Sequence, residues 1–129
     1  MDLAEAKERL AYWQRVLRLQ DWRIELREAA AIEMDEGRSW AKTKEVAEHK
    51  TAQIRMVLDR AEAGEPSLQG GVCWDPEHNL LHELLHLLLR DWPTEKDSPG
   101  ATAQELAINL LCEAFLGRRR TGSSAGGQE

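Results

Sequence analysis

Two histidines and a glutamate interrupt the apolar segment NLLHELLHLLL at residues 79–89. His82 and His86 are four positions apart, so on a helix both imidazoles project from one face and can bind the same metal ion. Glu83 lies about 100° around that helix from His82, which places its carboxylate where it can accept a proton from metal-bound water. Burying these groups is costly unless they are paired or ligated, and a divalent cation offsets that cost. The pattern His-Glu-x-x-His on a helix therefore indicates a zinc site suited to hydrolysis.

A catalytic zinc also needs a third protein ligand and one open position for water. No histidine follows His86 in the sequence and no cysteine follows it in a suitable place, so a carboxylate must complete the site. We predict Glu105, on the next helix, as this ligand, with Glu113 on the same polar stripe as the substitute. His78, one turn before His82, is a further alternative close to the start of its helix.

Glu105 has a competing local role at the start of the last helix. The residues TAQE from Thr102 fit a capping box, in which this glutamate only satisfies the backbone of the first turn. A helix that begins instead at Ser98 and Pro99 releases Glu105 for the metal. The sequence leaves both starts open.

Hydrophobic periodicity predicts the elements of the N-terminal half. Apolar residues recur every three or four positions over 2–19, which predicts an amphipathic helix that packs as a lid on a sheet. They alternate with charged residues over 22–28 and over 52–59, which predicts two strands. Segment 40–50 fits either an exposed strand or a short helix.

Two helices are predicted in the C-terminal half. Asp75 and Pro76 fit an N-cap and a first helical position, and Pro93 prevents continuation, so the first helix covers about 76–91. Its leucines cover nearly the whole circumference, which is typical of a buried helix. The second helix covers about 101–116 and has a broad apolar face formed by Ala103, Leu106, Ala107, Leu110, Leu111 and Ala114.

These motifs make the sequence similar to the zincin metallopeptidases of the gluzincin type. It resembles the small gluzincins of phages and bacteria that are related to ImmA/IrrE-type peptidases, in which HELLH is followed by a glutamate on the next helix. Here that helix is ATAQELAINLL, where Glu105 is followed by Asn109 and apolar residues. The resemblance is specific from Trp74 to Phe115 and only architectural before it.

The resemblance implies an α+β minimal zincin fold with an N-terminal helix, a small twisted sheet, an active-site helix and a ligand helix. It implies zinc on His82, His86 and Glu105, Glu83 as general base, and an extended peptide substrate along an edge strand. The chain departs from the family in lacking the Met-Pro ending of many ImmA/IrrE proteins and a downstream His or Tyr that would stabilise an oxyanion. His49 and Tyr12 are the alternatives for that last role.

Composition restricts the organisation and the partners. The length of 129 residues predicts one domain over 1–117, with a disordered Gly/Ser-rich tail over 118–129. A net charge of −6, from 17 basic and 23 acidic residues, opposes nucleic-acid binding. We expect no signal peptide and no membrane span. The two cysteines, Cys73 and Cys112, lack framework spacing, which favours the reducing cytoplasm and a role as small core residues.

The leading hypothesis is a cytoplasmic zinc metallopeptidase that acts on a peptide or protein substrate. In this hypothesis the strand region Ile54–Leu58 aligns the substrate by edge pairing. The alternative is a noncatalytic interaction module in which the metal only holds two helices together. A third reading, a metal-free helical regulator, requires the histidines to be incidental. The sequence does not define an oligomeric state.

Overall fold

The computed structural model describes residues 1–34, 39–63, 74–92 and 94–117, which form an α+β fold. The predicted tail over 118–129 and Cys73 lie outside these residues. Among the described residues, no helix combines the length and apolar character needed to cross a membrane. The helices and strands, in chain order, are α1 (Leu3–Val16), β1 (Arg23–Glu28), β2 (Ala41–Val46), β3 (Thr51–Met56), α2 (Pro76–Leu88) and α3 (Pro99–Leu116).

The three described strands form one mixed sheet in the order β1-β3-β2. β1 runs parallel to β3, and β2 runs antiparallel to it. The ambiguous segment 40–50 thus contains a strand, followed by a short 3-10 turn over Ala47–His49. The expectation that Ile54–Leu58 offers an edge to a substrate is wrong, because β3 is paired on both sides over its whole length. Within the described sheet, β1 and β2 are the two edge strands.

One face of the sheet is covered by helices. Leu26, Ile54 and Met56 point to this face and are buried. They share a core with the buried leucines of α2, which are Leu80, Leu81, Leu84, Leu85 and Leu87. Asp75 caps α2 by accepting hydrogen bonds from the backbone N–H groups of Glu77 and His78. As the leucine pattern predicted, α2 is the buried helix on which the candidate site is placed.

α1 holds the start of α2 as well as contacting the sheet. The carboxylate of Glu77 accepts hydrogen bonds from Arg9 Nε at 2.6 Å and Trp13 Nε1 at 2.8 Å. Trp13 is buried, so this contact joins two helices that are distant in sequence through a polar group at the edge of the core. The axial position of α2 is therefore fixed at its N-terminus.

α3 turns its apolar face outward, contrary to the simple amphipathic expectation. The predicted face is exposed, with Leu106 at 49%, Leu110 at 47% and Leu111 at 41% of full accessibility. Ile108 and Cys112, on the opposite side, are the residues that α3 buries. The polar residues of α3 contact the histidines of α2, and this requirement fixes the rotation of the helix.

Candidate metal centre

The two histidines of the motif lie on the side of α2 that faces α3. His82 and His86 are half-buried, whereas Leu80 and Leu84, on the other side of the helix, are fully packed in the core. The leucines that fix α2 in the core also fix the backbone positions of the two histidines. Their Nε2 atoms are 3.2 Å apart, which brings the two nitrogens of successive turns to one point.

Glu105 completes a triangle of donor atoms with the two histidines. Its Oε1 lies 3.2 Å from His82 Nε2, and its Oε2 lies 2.7 Å from His86 Nε2. Ligand atoms about 2.0–2.1 Å from a tetrahedral zinc are about 3.3 Å from one another. The observed separations are close to this value, so the donor set fits a divalent metal ion in both chemistry and spacing.

The start of α3 frees Glu105 for this position. The side chain of Ser98 caps the helix by accepting a hydrogen bond from the backbone N–H of Ala101 at 3.1 Å, and Pro99 is the first helical residue. The alternative start is thus the observed one. Thr102 lies inside the first turn, and the capping-box role that competed for Glu105 does not occur.

Asn109 orients the histidine side chains from the next turn of α3. Its Oδ1 lies 2.9 Å from His82 Nδ1 and 3.2 Å from His78 Nε2. Because an amide oxygen only accepts hydrogen bonds, each of these ring nitrogens must carry the proton. In the neutral form of His82, this proton on Nδ1 leaves Nε2 as the unprotonated nitrogen that faces His86 and Glu105, which is the tautomer that a metal ion requires.

Glu83 follows His82 in the sequence, but its carboxylate contacts the sheet. The hydroxyl of Thr43, on β2, donates a hydrogen bond to Glu83 Oε1 at 2.5 Å. This bond ties the carboxylate to the edge strand and leaves the Oε2 atom without a hydrogen-bond partner among the described residues. Glu83 is thus held outside the donor set, as the helix geometry predicted.

A second group of possible metal ligands, His78, His82 and Cys112, shares one histidine with the first. Burial raises the pKa of the Cys112 thiol to about 12, and the negative charges of Glu113 and Glu105 act in the same direction. The thiol therefore stays protonated at neutral pH, whereas metal binding needs the thiolate. The amide oxygen of Asn109 also occupies the space that both histidines face. The first group is the better metal site.

The other candidates from the sequence are not brought to the triangle. Glu113 belongs to neither group of ligand atoms. Tyr12 packs against Arg9 and Trp13 on α1. His49 is exposed in the turn after β2. Neither of the residues expected to stabilise an oxyanion contacts the site within the described part of the chain.

Sequence reasoning missed Thr43, and it named Asn109 without assigning it a role. Asn109 follows Glu105 by one helical turn, so its position on the same face was a usable signal. No such signal existed for Thr43. It meets Glu83 only because β2 pairs with β3 beside α2.

Comparisons with models of known protein families, with curated proteins and with solved structures give no match to this chain. The residues and their geometry are therefore the basis for a functional assignment.

Proposed function

We propose that this protein is a zinc-dependent peptidase whose metal ligands are His82, His86 and Glu105. The observation that carries the proposal is the convergence of two imidazole nitrogens and a carboxylate. A second carboxylate, that of Glu83, follows His82 in the sequence and is held by Thr43. Two histidines and a glutamate are a known ligand set of catalytic zinc. A bound zinc would acidify a water molecule and polarise the scissile carbonyl.

Glu83 has the role of general base in this proposal. Thr43 orients its carboxylate through Oε1, so the second oxygen can accept a proton from water and transfer it to the leaving amine. Asn109 keeps the His82 ring in the required tautomer. Each of these side chains is positioned by a separate element, namely β2, α2 and α3.

The open edge of β2 is the proposed docking site for an extended peptide. β2 pairs on one side with β3, and its other edge is unpaired within the described sheet. Thr43 belongs to this strand and contacts Glu83, so a peptide that adds to the edge would run beside the base. The backbone hydrogen bonds of such an added strand do not depend on side-chain identity, which suits a peptidase.

One observation favours the noncatalytic interaction module as a second candidate. The hydrogen bond between Thr43 and Glu83 joins α2 to β2, which by itself gives Glu83 a structural role. In this case the metal and Glu83 would only hold the helices and the sheet together. A substitution of Glu83 that keeps the hydrogen bond to Thr43 but cannot accept a proton distinguishes the peptidase from the interaction module.

The test combines metal analysis with hydrolysis of fluorescently labelled, unfolded casein. We expect about one zinc per wild-type chain and loss of this zinc in His86→Ala. Glu83→Gln keeps an oxygen that can accept the bond from Thr43, so it should retain zinc while hydrolysis falls by about 10²- to 10⁴-fold. Thr43→Val removes the bond but keeps the base, so residual hydrolysis should exceed that of Glu83→Gln.

His49→Ala is the matched control, because it removes an exposed histidine outside the site. Equal zinc in His49→Ala and His86→Ala would exclude the proposed ligands. Casein cleavage that survives Glu83→Gln would exclude the proposed base, and an inactive wild type with full zinc would support the interaction module. Iron is measured in parallel, since two histidines and a carboxylate also bind Fe(II), and a predominance of iron would contradict the zinc assignment.

A further inference from the structure

The sheet face that points away from the helices is rich in positive charge. Strand register places Arg27, Arg55 and Lys42 side by side across β1, β3 and β2. The next row contains Glu25, Gln53 and Lys44, and the last contains Arg23, Thr51 and Val46. We call these nine residues the open face. It contains five cations and one acid in a chain whose net charge is −6.

Charges on the open face are only partly neutralised by its own acid. Glu25 accepts a hydrogen bond from Gln53 at 3.0 Å and another from Arg27 at 3.2 Å. Both contacts lower the pKa of Glu25, and the hydrogen bond from Gln53 has the larger effect. Arg23, Lys44 and Arg55 form no ion pair with any residue in the described ranges. Positive charge is thus in excess on this surface.

The position of Arg55 makes this excess unfavourable for folding. It lies on the central strand with Arg27 directly opposite on one side and Lys42 on the other. Like charges directly opposite each other destabilise a sheet. A bound anion would relieve this repulsion. The three cations are therefore better placed to bind an anion than to stabilise the sheet.

A cavity of about 650 Å³ lies at one end of the strands and borders the open face. Its lining includes the cations Arg23 and Lys44 and the acids Glu25 and Glu45, together with Ile24, Val46, Thr51, Ala52 and Gln53. Neighbouring strands are about 4.8 Å apart and residues rise by about 3.3 Å along a strand, so the cationic area measures roughly 10 by 13 Å. This area matches about four residues of an extended chain.

We propose that the open face binds a short acidic segment of another protein. Arginine forms paired hydrogen bonds with carboxylates, and three of the five cations are arginines. A nucleic acid fits less well, because its charge extends beyond this small area onto a protein that is otherwise strongly acidic. The open face also has no aromatic side chain on which a base could stack. The proposal does not depend on the metal centre, which lies on the covered side of the sheet.

Binding of a fluorescein-labelled, glutamate-rich peptide to the full chain tests this proposal by fluorescence anisotropy. We expect binding that weakens as salt is added, and no binding of the same peptide with glutamine at each glutamate position. The double variant Arg27→Gln with Arg55→Gln should weaken binding by roughly tenfold, or about threefold per arginine. Glu25→Gln should strengthen binding, because it removes the one acid and releases Arg27.

Arg15→Gln is the matched control, since it removes an exposed arginine on α1. Its affinity for the peptide should equal that of the wild type. If Arg15→Gln and the double variant lost the same amount of peptide affinity, the effect would come from net charge alone, and the proposal would be overturned. Tighter binding of a single-stranded oligonucleotide than of the acidic peptide would overturn it as well. Thermal unfolding of the double variant distinguishes lost binding from lost folding, and we expect no decrease in its stability.

Discussion

The two faces of the sheet are built from the same three strands but serve different purposes. The covered face presents buried residues such as Leu26 and Ile54 to α2, and no polar or charged side chain among the described residues is fully buried there. The open face presents Arg27 and Arg55 at the neighbouring positions of the same strands. Because successive side chains of a strand point to opposite faces, the same strands form an apolar support on one face and a charged surface on the other.

This difference shows how a small protein can fix a polar site. The candidate ligands are half-buried to exposed, and they contact one another across α2 and α3. Their positions come from α2, whose leucines pack against the covered face. Among the described residues, none of those on the open face belongs to a buried core, so we expect that they can change with little effect on the fold. Each of the following predictions tests this separation.

The largest effect on stability is expected from Ile54→Ala on the covered face. Ile54 is fully buried in the centre of the sheet, so its truncation removes apolar contacts and leaves a cavity beneath α2. We expect a loss of about 2–5 kcal/mol in the free energy of unfolding. Urea unfolding in the presence of a chelator measures this loss without a contribution from bound metal.

Gln53→Ala is the control from the adjacent residue on the opposite face. It removes only a surface hydrogen bond to Glu25, so the change should remain within about 0.5 kcal/mol. Similar losses of unfolding free energy in the two variants would show that the open face also supports the fold. The proposed division of roles between the two faces would then be wrong.

A smaller effect, confined to the candidate metal centre, is expected from Asn109→Ala. The change removes the acceptor for His82 Nδ1 and His78 Nε2, so the His82 ring loses its fixed tautomer. Loss of such a supporting contact lowers metal affinity by about 10- to 100-fold. Competition with a chromogenic chelator measures the zinc affinity of each variant.

Asn109→Asp provides the conservative comparison, since a carboxylate still accepts from His82 Nδ1. We expect it to retain most of the wild-type affinity, while urea unfolding of the apo forms remains similar for both variants. Equal weakening by Ala and Asp would mean that the size of the residue, rather than its acceptor, supports the histidine.

Local patterns were sufficient to predict the motif and its helix. The cap at Asp75 and Pro76 and the leucine pattern are contained within one short segment, and they indicated a buried α2 with His82 and His86 on one side. The spacing of Glu105 on the next helix predicted its approach to them. These inferences needed only helix geometry and the chemistry of the side chains.

Features that depend on packing between distant segments could not be predicted in this way. Periodicity left the strand containing Thr43 ambiguous, because its half-exposed residues gain their conformation from pairing with β3. The exposed apolar side of α3 was also unpredictable, since Glu105 and Asn109 compete with Leu106 and Leu110 for the side of α3 that contacts α2. Contacts with the histidines decide that competition, and no local pattern in the sequence contains them.

The smallest effect is expected from the single described thiol on the covered side, Cys112. Its pKa is raised from 9.0 to about 12 by burial. Above pH 9 the unfolded chain ionises this group while the folded chain does not, so stability falls as pH rises toward 12. By pH 9.5 the loss should be roughly 1 kcal/mol. Cys112→Ala should lack this component of the pH dependence, and comparison of urea unfolding at pH 7.5 and 9.5 isolates it. An identical decline in both proteins would show that the thiol ionises equally in the folded state, and hence that water reaches the interior behind the histidines.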